Sequence, residues 1–460
     1  MADALRPTHD VNRSPEAAAG WISAPARGAK VAGWDALLVC VAVHIANYVG
    51  RVPQLFPVLT PLRVALLAKV LAIGLYLLYQ SGRRRIGHLN SPTTACVLGL
   101  LLWSALSVPG ALYQGLAFHA LTDFAWTVAM CLVLAGSARS VRDVERLVLV
   151  YFSVTVLHVA VVLSRFQLSA DNWRLGDLYY YDANDLATLI VSAMPFGLYS
   201  VLGQRRPAVR ALAALGLAVL AVGLTRSGSR GGFLAFLAVV AFVLLGFTTI
   251  PARSRLVGLV VVLAIVFATA SNRYWTQMQT ILNPHQDYNA SSEEGRLKVW
   301  ERGLGYLAQR PVFGVGVSNF QVAEGTISPL AKRQERGLAV YWTAPHNTFI
   351  QAGAELGVPG LLLFIGLFVT AFASLRRVAR YARSLSPPAR DLSRLAQTLM
   401  AALVGFVVGA FFLSLAYTDM LYTLAAFVLA LGKVARARGA DALPARGRAG
   451  HWAPGRWRTV

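Results

Sequence analysis

The sequence carries little charge for its length. Asp, Glu, Lys and Arg make up 14% of its 460 residues, whereas an average soluble domain contains about 25%. Hydrophobic residues reach 56% and the mean hydropathy is +0.54, so too few charged side chains remain to cover a water-facing surface. This composition excludes an ordinary soluble domain and predicts a protein that crosses a membrane many times.

Cysteine is also scarce. Cys40, Cys96 and Cys131 each lie inside an apolar run, which excludes a disulfide framework and a Cys-x-x-Cys metal site. The sequence contains no Walker A motif and no His-Glu-x-x-His motif, and no Asp-x-Asp pair lies in an outer connection. We therefore expect no cofactor, no metal ion and a chemistry that ATP does not drive.

Acidic residues are half as numerous as basic ones. Lys and Arg total 43 against 21 Asp and Glu, a formal net charge of +22. Nucleic-acid binding would require this charge to cluster on a soluble face. It lies instead mainly in short connections between apolar runs, so we expect membrane lipids as partners and no nucleic acid.

The hydropathy pattern predicts an all-α polytopic membrane protein of about twelve transmembrane helices. The predicted spans are 34–50, 58–80, 92–110, 118–136, 144–164, 185–203, 208–225, 231–248, 255–270, 346–374, 395–416 and 418–432. Spans one to nine thus occupy residues 34–270, and spans ten to twelve occupy 346–432. Residues 1–33 are predicted to be a disordered cytoplasmic tail without a signal-peptide apolar run, and 433–460 a basic cytoplasmic tail.

The basic connections predict the topology. With the amino terminus inside, every inner connection contains arginine, and the long connection 271–345 lies outside. Several cations then lie on the outer side, where they contribute nothing to orientation, which suggests another use for them. These residues are Arg174, Arg226, Arg230, Arg296, Lys298 and Arg302.

Arg230 follows two serines at the start of the eighth span. Ser227 or Ser229 can cap that helix, which places Arg230 in the first turn. There the helix dipole disfavours a cation by about 0.3–1 kcal/mol, unless an anion binds to the guanidinium and the free N–H groups. The alternative is an arginine that reaches lipid phosphate at the interface.

The long connection 271–345 contains helical patterns. The apolar residues Leu297, Trp300, Leu304 and Leu307 recur with helical spacing and predict an amphipathic helix that Arg296 opens. A second, polar helix is predicted over Asn319–Arg336. Arg296 either binds a ligand or is an ordinary solvated arginine on a helical cap.

His346 begins the tenth predicted span, directly after Pro345. A helix N-terminus lowers the pKa of an imidazole from about 6.5, so we expect a neutral His346 that can act as a general base. The alternative is a hydrogen-bonded interfacial histidine. Glu355 lies about 180° round the helix from His346, which favours a structural role for Glu355.

A fourth polar segment precedes the sixth span. Asp182 or Asn184 can cap that helix, and Arg174 lies shortly before it. Three consecutive tyrosines, Tyr179 to Tyr181, suit either a membrane interface or stacking against a sugar.

Taken together, these segments resemble the bacterial O-antigen ligase and polymerase superfamily. The resemblance covers most of the chain and is most specific over residues 225–365. It is carried, in order, by Ser229-Arg230-Gly231, Arg296, Trp300, Pro311, Gly314, Gly316, His346-Asn347, Glu355 and Gly357.

The resemblance implies a function. O-antigen ligases transfer a finished polysaccharide from undecaprenyl pyrophosphate to lipid A-core, on the periplasmic face of the inner membrane. By this resemblance His346 is catalytic, Arg230, Arg296 and Arg174 bind the donor pyrophosphate, and Asn347, Ser229 and Asn184 support them. O-antigen polymerases and protein-glycosylating ligases share much of this pattern, and a solute transporter is a further alternative.

Overall fold

The computed structural model describes residues 33–166, 173–175, 181–203, 206–282, 292, 295–337 and 340–441. The chain divides into two units, Met1–Asp35 and Ala36–Val460. Of the first unit only residues 33–35 are described. The second unit contains all of the helices named below, and these ranges contain no strand.

Fifteen helices of seven or more residues follow one another in the described ranges. They are α1 (Ala36–Tyr48), α2 (Val64–Leu78), α3 (Pro92–Ser107), α4 (Gln114–Ser137), α5 (Val141–Arg165), α6 (Ala183–Gly203), α7 (Pro207–Ser227), α8 (Arg230–Gly246), α9 (Ala252–Thr269), α10 (Asn272–Gln279), α11 (Arg296–Gln309), α12 (Phe320–Thr326), α13 (Thr348–Ser384), α14 (Arg390–Ala410) and α15 (Asp419–Asp441).

Nine of these described helices are long and apolar enough to cross a bilayer, namely α3 together with the 3₁₀ helix Val108–Gly110 that continues it, α4 to α7, α9 and α13 to α15. Three shorter apolar helices, α1, α2 and α8, occupy the remaining predicted spans. The predicted fold class is confirmed: this is an all-α polytopic membrane protein.

The helices differ in how much protein surrounds them. In the apolar windows of α6, α14 and α15, 78%, 78% and 89% of the residues are buried, but only 6% are buried in α9. Helices that are apolar on every side and yet exposed face lipid. Therefore α6, α14 and α15 form the centre of the bundle, and α9 lies at its edge.

The last helix is longer than the sequence predicts. Helix α15 runs to Asp441, past the predicted end of the last span at residue 432. Lys433 is buried, and its Nζ donates to the carbonyl oxygen of Gly136 at 2.7 Å, near the end of α4. This hydrogen bond fixes α15 against the carboxyl end of α4. The predicted tails over 1–32 and 442–460 lie outside the described residues.

Helix α13 also differs from the predicted span, because it extends to Ser384 and is broken at Gly357. Gly357 has φ = +70°, a left-handed conformation that glycine adopts without steric cost. The break frees carbonyl groups, and other segments satisfy them: the N–H of Val315 donates to Ala354 O at 2.8 Å. The indole Nε1 of Trp103 donates to Leu356 O at 2.9 Å.

We call the contact between α13 around Gly357 and the segment after α11 the Gly357 joint. The side chain of Glu355 also stabilises this joint. One carboxylate oxygen accepts from the N–H of Ser318 at 3.0 Å, and the other from the N–H of Phe320 at 3.3 Å. These donors belong to the segment between α11 and α12. Glu355 therefore fixes this segment against α13, a structural role of the kind expected from its position.

Replacing Gly357 with Ala should destabilise the protein by more than about 1–2 kcal/mol, the usual cost of a left-handed conformation for a residue with Cβ. The added Cβ would also clash with the backbone oxygens of Pro311 and Val312. Thermal unfolding in detergent measures the effect. Gly258→Ala is the matched control, because its Cβ would meet nothing within 4 Å. Equal unfolding temperatures for the two variants would contradict the proposed joint.

Candidate active site

A polar cavity of about 270 Å³ lies where α6, α7, α8, α10 and α11 meet. Three arginines that are distant in sequence share it, together with the first residues of α8 and α11. Its lining residues are Arg174, Asn184, Gly228, Arg230, Gly231, Gln277 and Arg296. Of the predicted site residues, four therefore line one cavity.

A tight turn between α7 and α8 positions Arg230. Gly228 ends α7 in a left-handed conformation, with φ = +59°. Ser229 then caps α8, since its Oγ accepts from the N–H of Gly232 at 3.1 Å. Arg230 is thus the first residue of α8, as predicted, and its Nη1 donates to Oγ1 of Thr280 at 2.7 Å.

Arg174 is held by two neutral oxygens. Its Nε donates to Ser227 O at 2.7 Å, and its Nη2 donates to Oδ1 of Asn184 at 3.0 Å. Desolvation lowers the pKa of Arg174, the negative charge of Asp182 opposes this shift, and the positive charge of Arg230 adds to it. Because an arginine starts far above neutrality, it remains a cation.

The start of α6 supplies the support for Arg174. The carboxylate of Asp182 accepts from the N–H groups of Asn184 and Asp185, each at 2.7 Å. Of the two predicted caps, Asp182 therefore fills that role. The side chain of Asn184 is consequently available to line the cavity and to accept from Arg174.

The tyrosines before α6 do not offer a sugar-stacking surface at their one described member. Tyr181 is buried, and its hydroxyl donates to Val49 O at 2.9 Å. The predicted interfacial or sugar-binding role is wrong for Tyr181, because it packs inside the bundle. Tyr179 and Tyr180 lie outside the described residues.

Helix α11 joins Arg296 to the segment that carries His346. Arg296 is the first residue of α11, as predicted, and lines the cavity. Trp300 follows one turn later, and its Nε1 donates to Pro345 O at 2.8 Å. Since residues four apart share a helix face, the spacing of Arg296 and Trp300 places His346 beside the arginine cavity.

The predicted apolar face of α11 is only partly correct. Leu297 and Leu304 are each 54% exposed, whereas Val299, Gly303 and Tyr306 form the buried face. Gly303 lies where α12 and α13 approach α11 closely, with Phe320 and Ile350 as its nearest side chains. Leucines beside a bilayer do not need a protein partner, which sequence periodicity alone cannot reveal.

A buried ion pair fixes α11 to α12. Arg302 Nε donates to both carboxylate oxygens of Glu324, at 2.9 and 3.0 Å, and the hydroxyl of Tyr306 donates to the same carboxylate at 2.7 Å. Arg302 thus has a structural use. The predicted helix over residues 319–336 is replaced by α12 and a separate 3₁₀ helix, Ala331–Arg336.

His346 does not enter a helix, contrary to prediction. Helix α13 begins at Thr348, and Asn347 is its N-cap, whose Oδ1 accepts from the N–H of Phe349 at 2.9 Å. His346 precedes the helix in a left-handed conformation with φ = +44°. Its N–H donates to Oγ of Ser414 at 2.9 Å, which helps to hold a conformation that is costly for a non-glycine residue.

The environment of His346 favours the neutral imidazole. Desolvation by burial lowers its pKa, the positive charge of Arg296 lowers it further, and Asp182 opposes the shift. The direction of the pKa shift agrees with the sequence-based expectation, but its cause is burial together with the charge of Arg296. A position in the first turn of a helix is not needed to lower this pKa.

The predicted site residues fall into two groups, those at the cavity and those that cap helices. Arg174, Arg230, Arg296 and Asn184 line the cavity, and His346 lies beside it. Ser229 and Asn347 cap α8 and α13 instead. Across the described part of the chain, no group of three or more His, Cys, Asp or Glu residues could hold a metal ion.

Three polar residues of this region escaped sequence reasoning. Gln277 lines the cavity, Thr280 accepts from Arg230, and Ser414 accepts from His346. Gln277 and Thr280 lie three residues apart near α10, a helix-compatible spacing that could have been noticed. Ser414 lies in the connection between α14 and α15 and gives no local signal.

Residues 187–365 match the family model described as O-antigen ligase. The match confirms the resemblance to the O-antigen ligase and polymerase superfamily. It includes Arg230, Arg296 and His346, whereas Arg174 and Asn184 precede it. No curated protein matches the chain significantly. The match supports an enzyme that transfers glycans in lipopolysaccharide biosynthesis, of the ligase or the polymerase type.

Replacing Trp300 with Phe should lower glycan transfer by about tenfold, because the variant keeps an aromatic ring but loses the hydrogen bond to Pro345 O, a loss near 1.4 kcal/mol. Transfer of lipid-linked glycan by the purified protein measures this effect, and thermal unfolding checks the fold. Trp126→Phe is the control, since Trp126 is exposed on α4. Full activity of Trp300→Phe would show that this hydrogen bond does not position the site.

Proposed function

We propose that this protein is an O-antigen ligase of the bacterial inner membrane. It transfers O-antigen polysaccharide from undecaprenyl pyrophosphate to a hydroxyl of lipid A-core on the periplasmic face. The observation that carries the proposal is the cavity in which Arg174, Arg230 and Arg296 meet beside His346. The long connection 271–345 would then be periplasmic, and both termini cytoplasmic.

The three arginines suit a diphosphate. Guanidinium groups donate paired hydrogen bonds to phosphate oxygens, and the amino ends of α8 and α11 add N–H groups with a favourable dipole. Departure of undecaprenyl pyrophosphate places negative charge on the leaving oxygen. Each charge-assisted hydrogen bond contributes about 1.5–3 kcal/mol, so two or three can accelerate the reaction by several powers of ten without a metal.

His346 would act as the general base. The acceptor hydroxyl transfers its proton to the neutral imidazole as its oxygen attacks the anomeric carbon of the donor. The bond from that carbon to the pyrophosphate oxygen breaks, and its electron pair leaves with the lipid. A single displacement inverts the anomeric configuration. Recovery of the donor's configuration in the product would contradict this step.

An apolar cavity of about 90 Å³ between α6, α7, α8 and α9 suits a short stretch of the prenyl chain. Phe236, Val240 and Val243 line it along α8, the helix that begins at Arg230. A chain bound there would extend from a diphosphate at the arginines along one helix. Its neighbour α9 faces lipid, which gives the chain lateral access from the bilayer.

Replacing His346 with Ala should abolish transfer while leaving donor binding nearly intact, because the imidazole acts on the acceptor proton. Reconstituted liposomes with a defined lipid-linked donor, lipid A-core acceptor and a chelator measure both properties. His119→Ala is the control, since this histidine is 82% exposed in its side chain. Normal ligation by His346→Ala would exclude the base assignment.

Replacing Arg230 with Lys should weaken donor binding and reduce turnover by about tenfold or more, because an ammonium cannot form the paired hydrogen bonds of a guanidinium. Arg273→Lys on α10 is the control on an exposed arginine. Unimpaired donor binding by Arg230→Lys would contradict a diphosphate site.

Omitting lipid A-core separates a ligase from a polymerase: a ligase then forms no product, whereas a polymerase still extends the glycan.

The pH profile should reflect the low pKa of His346. Activity requires the neutral imidazole and is lost as the pH falls through its pKa, so the acidic limb of kcat/KM should lie below the ordinary value of about 6.5. Asp182→Asn keeps a capping side chain but removes the opposing charge, so it should move this limb further down. A limb at or above the ordinary value would contradict the assignment.

A further inference from the structure

A second basic cavity lies at the other end of the transmembrane bundle. It has a volume of about 300 Å³ and is lined by Tyr79, Ser81, Arg83, Arg84 and Arg139. Helix α5 begins two residues after Arg139 and spans 25 residues, roughly 37 Å. Its far end leads to Arg174 and to the start of α6, which line the candidate active site. The two cavities are thus separated by about the thickness of a membrane.

Two connections bring these arginines together around the carboxyl end of α4. Arg84 Nε donates to Ser137 O at 3.0 Å, and Arg83 Nη1 donates to Arg139 O at 3.3 Å. These carbonyl groups orient the guanidiniums but carry no net charge. The buried ammonium of Lys433 lies at the same helix end, on Gly136 O. Cations therefore converge here from three segments of the chain.

A buried carboxylate orients Arg139, one of the lining residues. Asp143 has a fully buried side chain and accepts from Arg139 at 3.1 Å and from Arg146 at 3.0 Å. One carboxylate thus bridges two guanidiniums and fixes Arg139 at the cavity. The result is a rigid basic pocket on folded helices, which differs from a flexible basic tail.

Exposed apolar residues adjoin the cavity lining in the sequence, and we call them the apolar rim. Leu77 and Leu78 are 66% and 80% exposed at the end of α2, and Ile86 is 55% exposed in the next connection. Tyr79, which lines the cavity, directly follows Leu78. Exposed leucines at the end of a membrane helix contact acyl chains, whereas a tyrosine prefers the level of the headgroups.

We propose that this cavity binds the phosphate headgroup of an anionic membrane lipid. The arginines and the hydroxyls of Tyr79 and Ser81 would hold the phosphate oxygens, while the acyl chains would lie against Leu77 and Leu78. Basic pockets between helices recognise such headgroups through the same pairing. The apolar rim favours a lipid over a free anion. This site is separate from the proposed glycan transfer and does not depend on it.

Binding to the purified full-length protein in neutral phosphatidylcholine nanodiscs tests this proposal. Phosphatidylglycerol added to these nanodiscs should bind and raise the unfolding temperature. Arg83→Gln should weaken this binding by about tenfold, because a charge-assisted hydrogen bond is lost. Arg139→Gln provides a second variant at the same cavity. Arg253→Gln is the matched control, an exposed arginine at the start of α9.

The outcomes separate the possible ligands. Selective loss of phosphatidylglycerol binding in Arg83→Gln and Arg139→Gln, with Arg253→Gln unaffected, supports the proposal. Equal stabilisation by inorganic phosphate or glycerol 3-phosphate would overturn the lipid assignment, since neither has acyl chains for the apolar rim. Equal weakening in Arg253→Gln would overturn the site, because the attraction would then be general surface charge.

Discussion

Like charges repel, and the structure nevertheless holds three guanidiniums around one cavity. Arg174 is anchored by Ser227 O and Asn184, and Arg230 donates to the hydroxyl of Thr280. These acceptors are neutral oxygens that orient the guanidiniums of Arg174 and Arg230. Three guanidiniums in one cavity have an intrinsic tendency to separate.

The rest of the fold opposes that tendency. Each arginine lies on a different segment, and each segment is fixed elsewhere: the turn at Gly228, the capped start of α6, and α11 with its buried Arg302–Glu324 pair. Helix α11 has a double function, since one turn contributes Arg296 and the next holds Pro345 O through Trp300. The position of the candidate base is therefore set by the same helix that supplies a cation.

Hydropathy and charge predicted much of the fold, because a bilayer imposes a length and a polarity on every span. The same reasoning failed where tertiary contacts changed the local rule. Lys433 is buried against Gly136 O although its charge predicts a place outside the span, and His346 stays outside α13, with its backbone N–H held by Ser414. At the site, the arginines were identified from the sequence by their predicted outer position, which is unusual for cations. Ser414 could not be identified, because it lies in the connection between α14 and α15 and gives no local signal.

The joint at Gly357 has a consequence for how such chains diverge. The hydrogen bonds between Val315 and Ala354 and between Val358 and Pro311 are made by main-chain atoms. Main-chain hydrogen bonds do not depend on the identity of the side chain, so most positions here can be substituted without loss of these bonds. Glycine is favoured at the left-handed positions 314, 316 and 357, whereas Glu355 and Trp103 are constrained by their side-chain hydrogen bonds. Distant relatives should therefore retain the spacing of these glycines even where the residues between them no longer align.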